Sequence, residues 1–238
     1  MQHFGSFALI PGKTGEHFYN KFFQFYGLDS VYKPKKVEDL KHSLSLAIQE
    51  NYSGISITMP YKSQVLDYLY SMSPDCKTYN SCNTILIDEK KLYGFNTDFD
   101  GVVQISKNFM GASKVNILGN GSMGSMFHKY LVSTGFEVAV FSPSLGNWSE
   151  RHQEADIFIN CTSLGTSSNA SPLEHISSKA LIVDLSLKKT ELFNMSTASK
   201  AKYISGLDFY KCVFLAQFKI YTGIAADSDY FDSLAKIL

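Results

Sequence analysis

Lys62 stands four positions after Thr58 and two after Pro60, at the end of the run Gly54-Ile55-Ser56-Ile57-Thr58-Met59-Pro60-Tyr61-Lys62. An ammonium group held near a carbonyl can stabilise negative charge growing on its oxygen and then give it a proton. Amide and carboxylate groups follow at Asn83, Asn96 and Asp98, types that can hold hydroxyls and partner a cation. Further on, Gly119-Asn120-Gly121-Ser122-Met123-Gly124 comes directly after the apolar run Val115-Asn116-Ile117-Leu118, giving G-x-G-x-x-G between an expected strand and an expected helix. Glycines there let the backbone turn tightly and approach a pyrophosphate, which the amide N–H groups of the helix start can bind.

These groups need a scaffold, and the periodicity of the chain supplies one. Ser6 to Ile10 reads as a first strand. A helix with Phe18, Phe22, Phe23 and Tyr26 on its apolar side follows, ending at Gly27. Ser30 to Lys33 reads as a second strand and Val37 to Glu50, with Leu40, Leu44, Ala47 and Ile48, as a second helix. The run from Gly54 is a third strand, after which Thr58 would cap a helix carrying Pro60 in its first turn. This alternation predicts a largely parallel sheet covered by helices, with Thr58 and Lys62 at a strand's carboxyl end, the edge where such sheets bind ligands. Asn80 to Ile87 and Leu92 to Asp98 form an expected hairpin that brings Asn83, Asn96 and Asp98 towards one cleft.

A second βα series starts at Val115, with a helix to about Thr134 and a strand over Glu137 to Phe141. That strand runs into Ser142-Pro143-Ser144 and offers neither the acid of an NAD site nor the arginine of an NADP site. Ser142 and Ser144 could hydrogen-bond a phosphate, and Arg151 lies nearby in sequence. Strands are expected over Asp156 to Asn160, running into Cys161-Thr162-Ser163-Leu164-Gly165, and over Ala180 to Leu185, with Thr166 to Ser171 as a loop between them. After Gly206 a helix runs to about Thr222 and a last helix covers Ser228 to Ile237.

With 45% hydrophobic and 18% charged residues the composition is that of a folded globular chain. Twenty-two basic residues balance twenty-two acidic ones, which leaves no electrostatic argument for nucleic acid or an anionic membrane and points to a small-molecule partner. Cys76, Cys82, Cys161 and Cys212 are widely spaced, without histidines at zinc-ligand spacing, so structural thiols and no metal are expected. No apolar run approaches the roughly 20 residues needed to span a bilayer, and the amino terminus lacks a signal pattern, so the expected compartment is the cytoplasm.

Taken together these stretches resemble the shikimate dehydrogenases, a family that includes the quinate/shikimate enzymes. Gly54 to Lys62 is similar to the family's G-x-N-V-T-x-P-x-K, with Ser56 at the usual Asn. Asn83-Thr84 is similar to the end of A-V-N-T, Gly94-Phe95-Asn96-Thr97-Asp98-Phe99-Asp100-Gly101 matches G-x-N-T-D-x-x-G, and Asn160 to Gly165 resembles N-A-T-S-x-G. Tyr221-Thr222-Gly223 resembles the W-x-G of the last helices. The blocks run in family order over nearly the whole chain.

The resemblance implies an α/β fold of two domains. One is an amino-terminal α/β substrate domain from residues 1–100 with 206–238, and the other a Rossmann-like dinucleotide domain over 101–205. It implies reversible NADP-dependent reduction of 3-dehydroshikimate to shikimate, in aromatic amino-acid biosynthesis, by a monomer or homodimer. NAD as cofactor, quinate or a related cyclic hydroxy acid as substrate, and a weakly active dinucleotide-binding paralogue are the alternatives. Lys62 and Asp98 would be the catalytic pair, with Thr58, Asn83 and Asn96 placing substrate hydroxyls. Gly119, Asn120, Gly121, Ser122, Met123 and Gly124, together with Ser142, Ser144, Asn160, Thr162, Ser163 and Gly206, would hold the cofactor.

Departures from the pattern fall at the substrate carboxylate. The family's S-x-S aligns with Lys13-Thr14-Gly15 when Tyr19-Asn20 is set against its H-N, so Lys13 or Thr14 would have to take over the carboxylate. The family's substrate-binding Gln falls on Val213, with Gln217 one turn later, so Gln217 is the expected substrate-binding glutamine here, and Leu187 stands where a tyrosine is usual.

Overall fold

The computed structural model describes residues 1–166 and 170–236. The middle of the Thr166 to Ser171 loop and Ile237, the expected end of the last helix, lie outside the described residues. The chain forms two compact units, the first from Met1–Asp98 and Val213–Leu238, the second from Phe99–Cys212.

In the first unit β1 (Gln2–Ala8), α1 (Thr14–Phe25), β2 (Ser30–Lys36), α2 (Leu40–Gln49) and β3 (Tyr52–Ile57) follow the expected alternation. Strand β1 starts earlier than the apolar run suggests because its pairing with β2 begins at Gln2↔Ser30. Asp39 caps α2 by accepting the His42 amide at 2.9 Å, and Gly27 leaves α1 with a φ of 64°.

The helix expected from Pro60 does not form. Tyr61 N–H closes a turn on the Thr58 carbonyl at 2.9 Å across a cis Met59–Pro60 peptide, a β-turn and not a first helical turn. A 3₁₀ segment Gln64–Tyr68, the two-residue β4 (Ser71–Met72) and the short α3 (Pro74–Tyr79) take the place of that helix. The hairpin does form, from β5 (Thr84–Asp88) and β6 (Lys91–Phe95), over Glu89 and Lys90 at φ 47° and 61°, the left-handed pair that a two-residue turn demands.

The sheet order is β2-β1-β3-β5-β6-β4. It is largely parallel, as expected: β2, β1, β3, β6 and β4 run the same way, and β5 is antiparallel to both its neighbours, β3 and β6, the latter across the two-residue hairpin that reverses the chain. Side chains alternate across the sheet, so Phe7, Ile55, Ile57, Ile85 and Leu92 join Leu40, Leu44 and Ala47 of α2 on one face. The opposite face is aromatic. Phe4 and Phe23 lie 5.3 Å apart and Phe22 lies 4.8 Å from Phe214, while Phe18 stacks on Phe231 at 4.2 Å.

In the second unit α4 (Thr97–Ser106) leads to β7 (Lys114–Leu118), α5 (Ser122–Ser133), β8 (Glu137–Phe141), β9 (Ile157–Asn160), β10 (Leu181–Asp184), α6 (Glu191–Ser199) and β11 (Lys202–Ile204). The chain continues through α7 (Gly206–Thr222) and then α8 (Ser228–Ala235), whose residues belong to the first unit. The sheet order is β11-β10-β9-β7-β8, with every pairing parallel. The chain leaves β7 for β8 on one side and returns to β9 on the other, so the order reverses beside β7. Elements α6 and β11 have no counterpart in the sequence reading, since their apolar residues are few and only a tertiary face organises them.

Phe18 is fully buried and stacks on Phe231 at 4.2 Å with the rings nearly parallel. Phe18→Ala should lower stability by about 3–5 kcal/mol in urea unfolding of the whole chain; a loss under about 1 kcal/mol would show that this face repacks freely.

Candidate functional site

Strand register places the first group of residues. Ser56 pairs with Thr84 and Thr84 with Phe95, so the end of β3, the start of β5 and the end of β6 share one edge of the sheet. Asn83 and Asn96 lie one residue beyond that line, level with Ile57, whose amide donates to Asn83 O at 2.8 Å, and Thr58 lies one residue further. The loop carrying Lys62 is pinned by its own carbonyl, which accepts the Cys82 amide at 2.8 Å, and by Tyr61, whose hydroxyl donates to Val37 O at 2.6 Å.

Lys62 Nζ then reaches Asp98 Oδ2 at 2.6 Å. The lysine side chain is 24% exposed and the carboxylate 9%, so the cation stands towards solvent with its partner behind it. Asp98 occupies the first turn of α4, where the helix dipole also favours negative charge.

Asn83 is buried and oriented without ambiguity. Its Oδ1 accepts the backbone N–H of Thr97 at 2.8 Å, a group that can only donate, along with the hydroxyls of Thr97 and Thr84 at 3.0 and 2.9 Å. Among the described residues none of its side-chain hydrogen bonds uses Nδ2. Asn96 is buried beside it in sequence to Thr97.

Gln217 lies beneath this edge. Its Oε1 accepts the hydroxyls of Tyr19 and Ser56 at 2.6 and 2.9 Å, and its Nε2 donates to Thr84 Oγ1 and Asn83 O at 2.6 and 3.3 Å. Ser56 also receives the Tyr32 hydroxyl at 2.8 Å and lies 3.1 Å from that of Tyr221. Tyr19 and Tyr32 stack at 4.4 Å. Burial pushes the Tyr32 phenol up to about 12.

Lys13 caps α1 and is exposed, with Thr14 in the first turn. A side chain at Gly15 would meet the Tyr32 ring and hydroxyl at about the closest tolerable approach, 3.1 Å, so the tyrosine fills the space a serine would use there. Neither Tyr32, Tyr19, Thr84 nor Thr97 was singled out by sequence reasoning; the repeated Asn-Thr pair at 83–84 and 96–97 is the signal that could have found the two threonines.

The glycine turn follows β7. Gly119 has a φ of 101°, and a Cβ there would sit 3.1 Å from Thr162 Cγ2, while one on Gly124 would lie 2.0 Å from the Gly119 carbonyl oxygen. Gly121 caps α5, and a Cβ there would meet nothing within 4 Å. The first amides of a helix have no intrahelical acceptor, so Ser122, Met123 and Gly124 present N–H groups at that open end. Ser144 donates to Asn120 Oδ1 at 3.2 Å and is exposed. Ser142 is buried and accepts the Leu145 amide at 3.2 Å, a capping role.

Arg151 is turned away from these serines. It donates to Pro172 O at 2.7 Å and Trp148 O at 3.0 Å, pairs with Glu174 at 3.2 Å and lies 4.8 Å over the Trp148 ring.

Asn160 also has internal partners. Its Oδ1 accepts the Thr162 amide and hydroxyl at 3.0 and 2.7 Å, and its Nδ2 donates to Asp184 Oδ1 at 3.0 Å, so Asn160 shapes the turn and Ser163 is the exposed member. Asp184 is fully buried and accepts three further donors: the Ser186 amide at 3.2 Å and the Thr190 and Tyr203 hydroxyls at 2.6 and 3.0 Å. Burial first, and then that carboxylate's charge, push both the Cys161 thiol and the Tyr203 phenol up. A Cβ on Gly206 would strike Ser186 O at 2.3 Å, so this glycine allows α7 to start against the chain leaving β10.

The parallel sheet, its glycine turn beside the reversal of strand order, and a lysine–carboxylate pair in a separate α/β unit define a dinucleotide-binding class of α/β protein. Residues 16–85 match the family model described as the shikimate dehydrogenase substrate binding domain. The NADP+ shikimate dehydrogenase of Pyrococcus abyssi is 30% identical over 231 residues, 88% of this chain and 87% of that one. A shikimate dehydrogenase-like protein of Haemophilus influenzae is 24% identical over 237 residues, 89% and 87% of the two chains. The Thermus thermophilus shikimate 5-dehydrogenase, solved with NADP(H) and shikimate, shares the fold with a TM-score of 0.84 at 24% identity, covering 100% of this chain and 99% of its own. The chain belongs to the shikimate dehydrogenase family.

Two predictions follow from the buried polar groups. Below pH 10 Tyr32 keeps its proton folded or unfolded; between pH 10 and 12 only the unfolded phenol ionises, so stability falls as pH rises through that window. Tyr32→Phe removes this component, and urea unfolding across the window should show a loss smaller by up to roughly 3 kcal/mol than in the parent protein; equal losses would place Tyr32 in contact with solvent. Asp184→Ala strands the donors of Asn160, Thr190 and Tyr203 and should cost at least about 3 kcal/mol in the same measurement.

Proposed function

We propose that this chain catalyses the reversible NADP-dependent reduction of 3-dehydroshikimate to shikimate, a step of aromatic amino-acid biosynthesis, as a cytoplasmic monomer or homodimer. Residues 1–98 and 213–238 would serve as the substrate and catalytic domain, and residues 99–212 as the dinucleotide domain. The observation that carries the reading is the 2.6 Å pair of Lys62 and Asp98 at the sheet edge that also carries Asn83, in a chain 30% identical to an NADP+ shikimate dehydrogenase.

The residues present fit a dinucleotide. Open space at Gly121, the positive φ of Gly119 and the close packing of Gly124 are the three properties a pyrophosphate turn requires. Gly119 to Gly124 would hold that group, with the exposed Ser144, Asn120 and Ser163 along its rim and Asn160, Thr162, Ser142 and Gly206 supporting the turns beneath. When bound, the nicotinamide supplies the hydride.

The chain's own residues supply the rest. As the carbonyl carbon is reduced, charge grows on its oxygen, and the Lys62 ammonium stabilises and then protonates it. The Asp98 carboxylate, 2.6 Å from Nζ, fixes the Lys62 rotamer. Asn83 Nδ2, with Thr58 and Asn96, would hold ring hydroxyls, and Lys13 and Thr14 at the start of α1 would face the substrate carboxylate.

Purified protein assayed with shikimate and with quinate, each against NADP and NAD, should reduce the nicotinamide fastest with shikimate and NADP, followed at its absorbance. No reduction in any combination would overturn the reading, and a preference for quinate would reassign the substrate. Lys62→Ala should keep its melting temperature and its NADP affinity while kcat falls by at least about 100-fold. Lys62→Arg keeps the charge but holds its proton too tightly to donate it, and should not restore turnover.

A further inference from the structure

We propose that Gln217 is a positioning residue that aims the Asn83 carboxamide at the substrate and makes no substrate contact itself; this role rests on the function proposed above. A carboxamide has two acceptor lone pairs and two donor hydrogens, and all four are used inside the protein. Tyr19 and Ser56 donate to Oε1 at 2.6 and 2.9 Å, and Nε2 donates to Thr84 Oγ1 at 2.6 Å and Asn83 O at 3.3 Å. Because the Asn83 carbonyl can only accept, the nitrogen of Gln217 must face it, which settles the orientation of the amide. At 6% exposure the side chain has no spare group to offer a ligand.

The consequence passes through Thr84. Its hydroxyl oxygen is taken as an acceptor by Gln217, so its hydrogen is left to point forward, to Asn83 Oδ1 at 2.9 Å or to Thr97 Oγ1 at 3.0 Å, a hydroxyl that bonds the same Asn83 oxygen. Thr97 grips the same oxygen from its amide and hydroxyl at 2.8 and 3.0 Å. With Oδ1 held by these donors, the Asn83 amide is directed the other way, Nδ2 outwards. Gln217 also grips the Asn83 backbone carbonyl, so main chain and side chain are held together. A substitution of Gln217 therefore frees the Thr84 hydroxyl to rotate and loosens the Asn83 amide that faces a hydroxylated ligand.

The test is a double-mutant cycle read in steady-state kinetics. Gln217→Met keeps the volume and removes the polar groups. It should raise KM for shikimate by about ten-fold, the size of one net hydrogen bond, and leave KM for NADP unchanged. In an Asn83→Ala background the same change should alter KM for shikimate by less than about two-fold, because nothing remains to be aimed. Thr84→Val, which removes the link between the two amides, should reproduce the Gln217→Met effect and the same non-additivity, and serves if Gln217→Met does not fold. Additive effects would overturn the proposal by showing that Gln217 meets the substrate on its own. A lowered melting temperature with both KM values unchanged would overturn it by showing a purely structural role. An inactive parent protein would overturn the proposed function instead; the cycle would then be read as shikimate affinity by calorimetry, where absent coupling counts against the positioning role alone.

Discussion

The sheet edge that carries Lys62 and Asp98 depends on one buried oxygen, Oδ1 of Asn83. Helix α4 begins at Thr97 with amides that its own turns cannot satisfy, and Asn83 accepts the first of them from the opposite end of the hairpin. That single bond ties the start of β5 to the start of α4. It holds Asp98 one residue into the helix, where Lys62 can reach it at 2.6 Å. The lysine arrives from a third direction, on a turn anchored to Cys82, the residue before Asn83. Three chain segments thus converge on one amide, and the pairing of charges is a result of how that amide is satisfied.

The two units solve the same problem with different groups. In the first, buried hydroxyls and carboxamides close on one another: Tyr32, Ser56, Tyr19, Thr84 and Gln217 form a neutral network under the substrate edge. In the second, a buried carboxylate, Asp184, gathers Asn160, Ser186, Thr190 and Tyr203 below the nucleotide turns. Both obey the rule that a polar group taken out of water must find partners. Each network also bonds to a neighbouring loop, Gln217 to the Asn83 carbonyl and Asn160 to the Thr162 amide, so the hydrogen bonds that offset the desolvation also fix loop geometry.

The start of α1, with Lys13-Thr14-Gly15, packs against β2 through a single aromatic side chain. Tyr32 occupies the room beside Gly15, and its hydroxyl is drawn inwards to Ser56. The aromatic on β2 and the glycine on α1 are packed as a pair, since a Cβ at Gly15 would meet the Tyr32 ring and hydroxyl at 3.1 Å. Lys13 is left as the exposed cation at the start of α1.

Local spacing made much of this legible. The helical period of Phe18, Phe22 and Phe23, the glycine spacing after Leu118 and the strands over Glu137 to Phe141 and Gly54 to Ile57 are properties of neighbouring residues, and the structure forms those elements. The order of short blocks around Lys62, Asn83 and Asp98 also carried the family. Pro60 misled, because a proline that suits the first turn of a helix equally suits a tight turn, and the Tyr61 amide decided for the turn by pairing with Thr58. The reversal between β5 and β6 was legible as a hairpin, but the insertion of β5 beside β3 was not, because the neighbours of a strand in a sheet are chosen by packing in space. What the chain determined by itself was which residue types stand where. What only the tertiary structure decided was how they are spent: whether Gln217, 134 positions from Asn83, faces a ligand or a neighbouring amide, and whether Arg151 faces a phosphate or the Pro172 carbonyl. Hydrogen-bonding capacity is finite, and the partner that uses it up is set by proximity in space, which sequence separation does not encode.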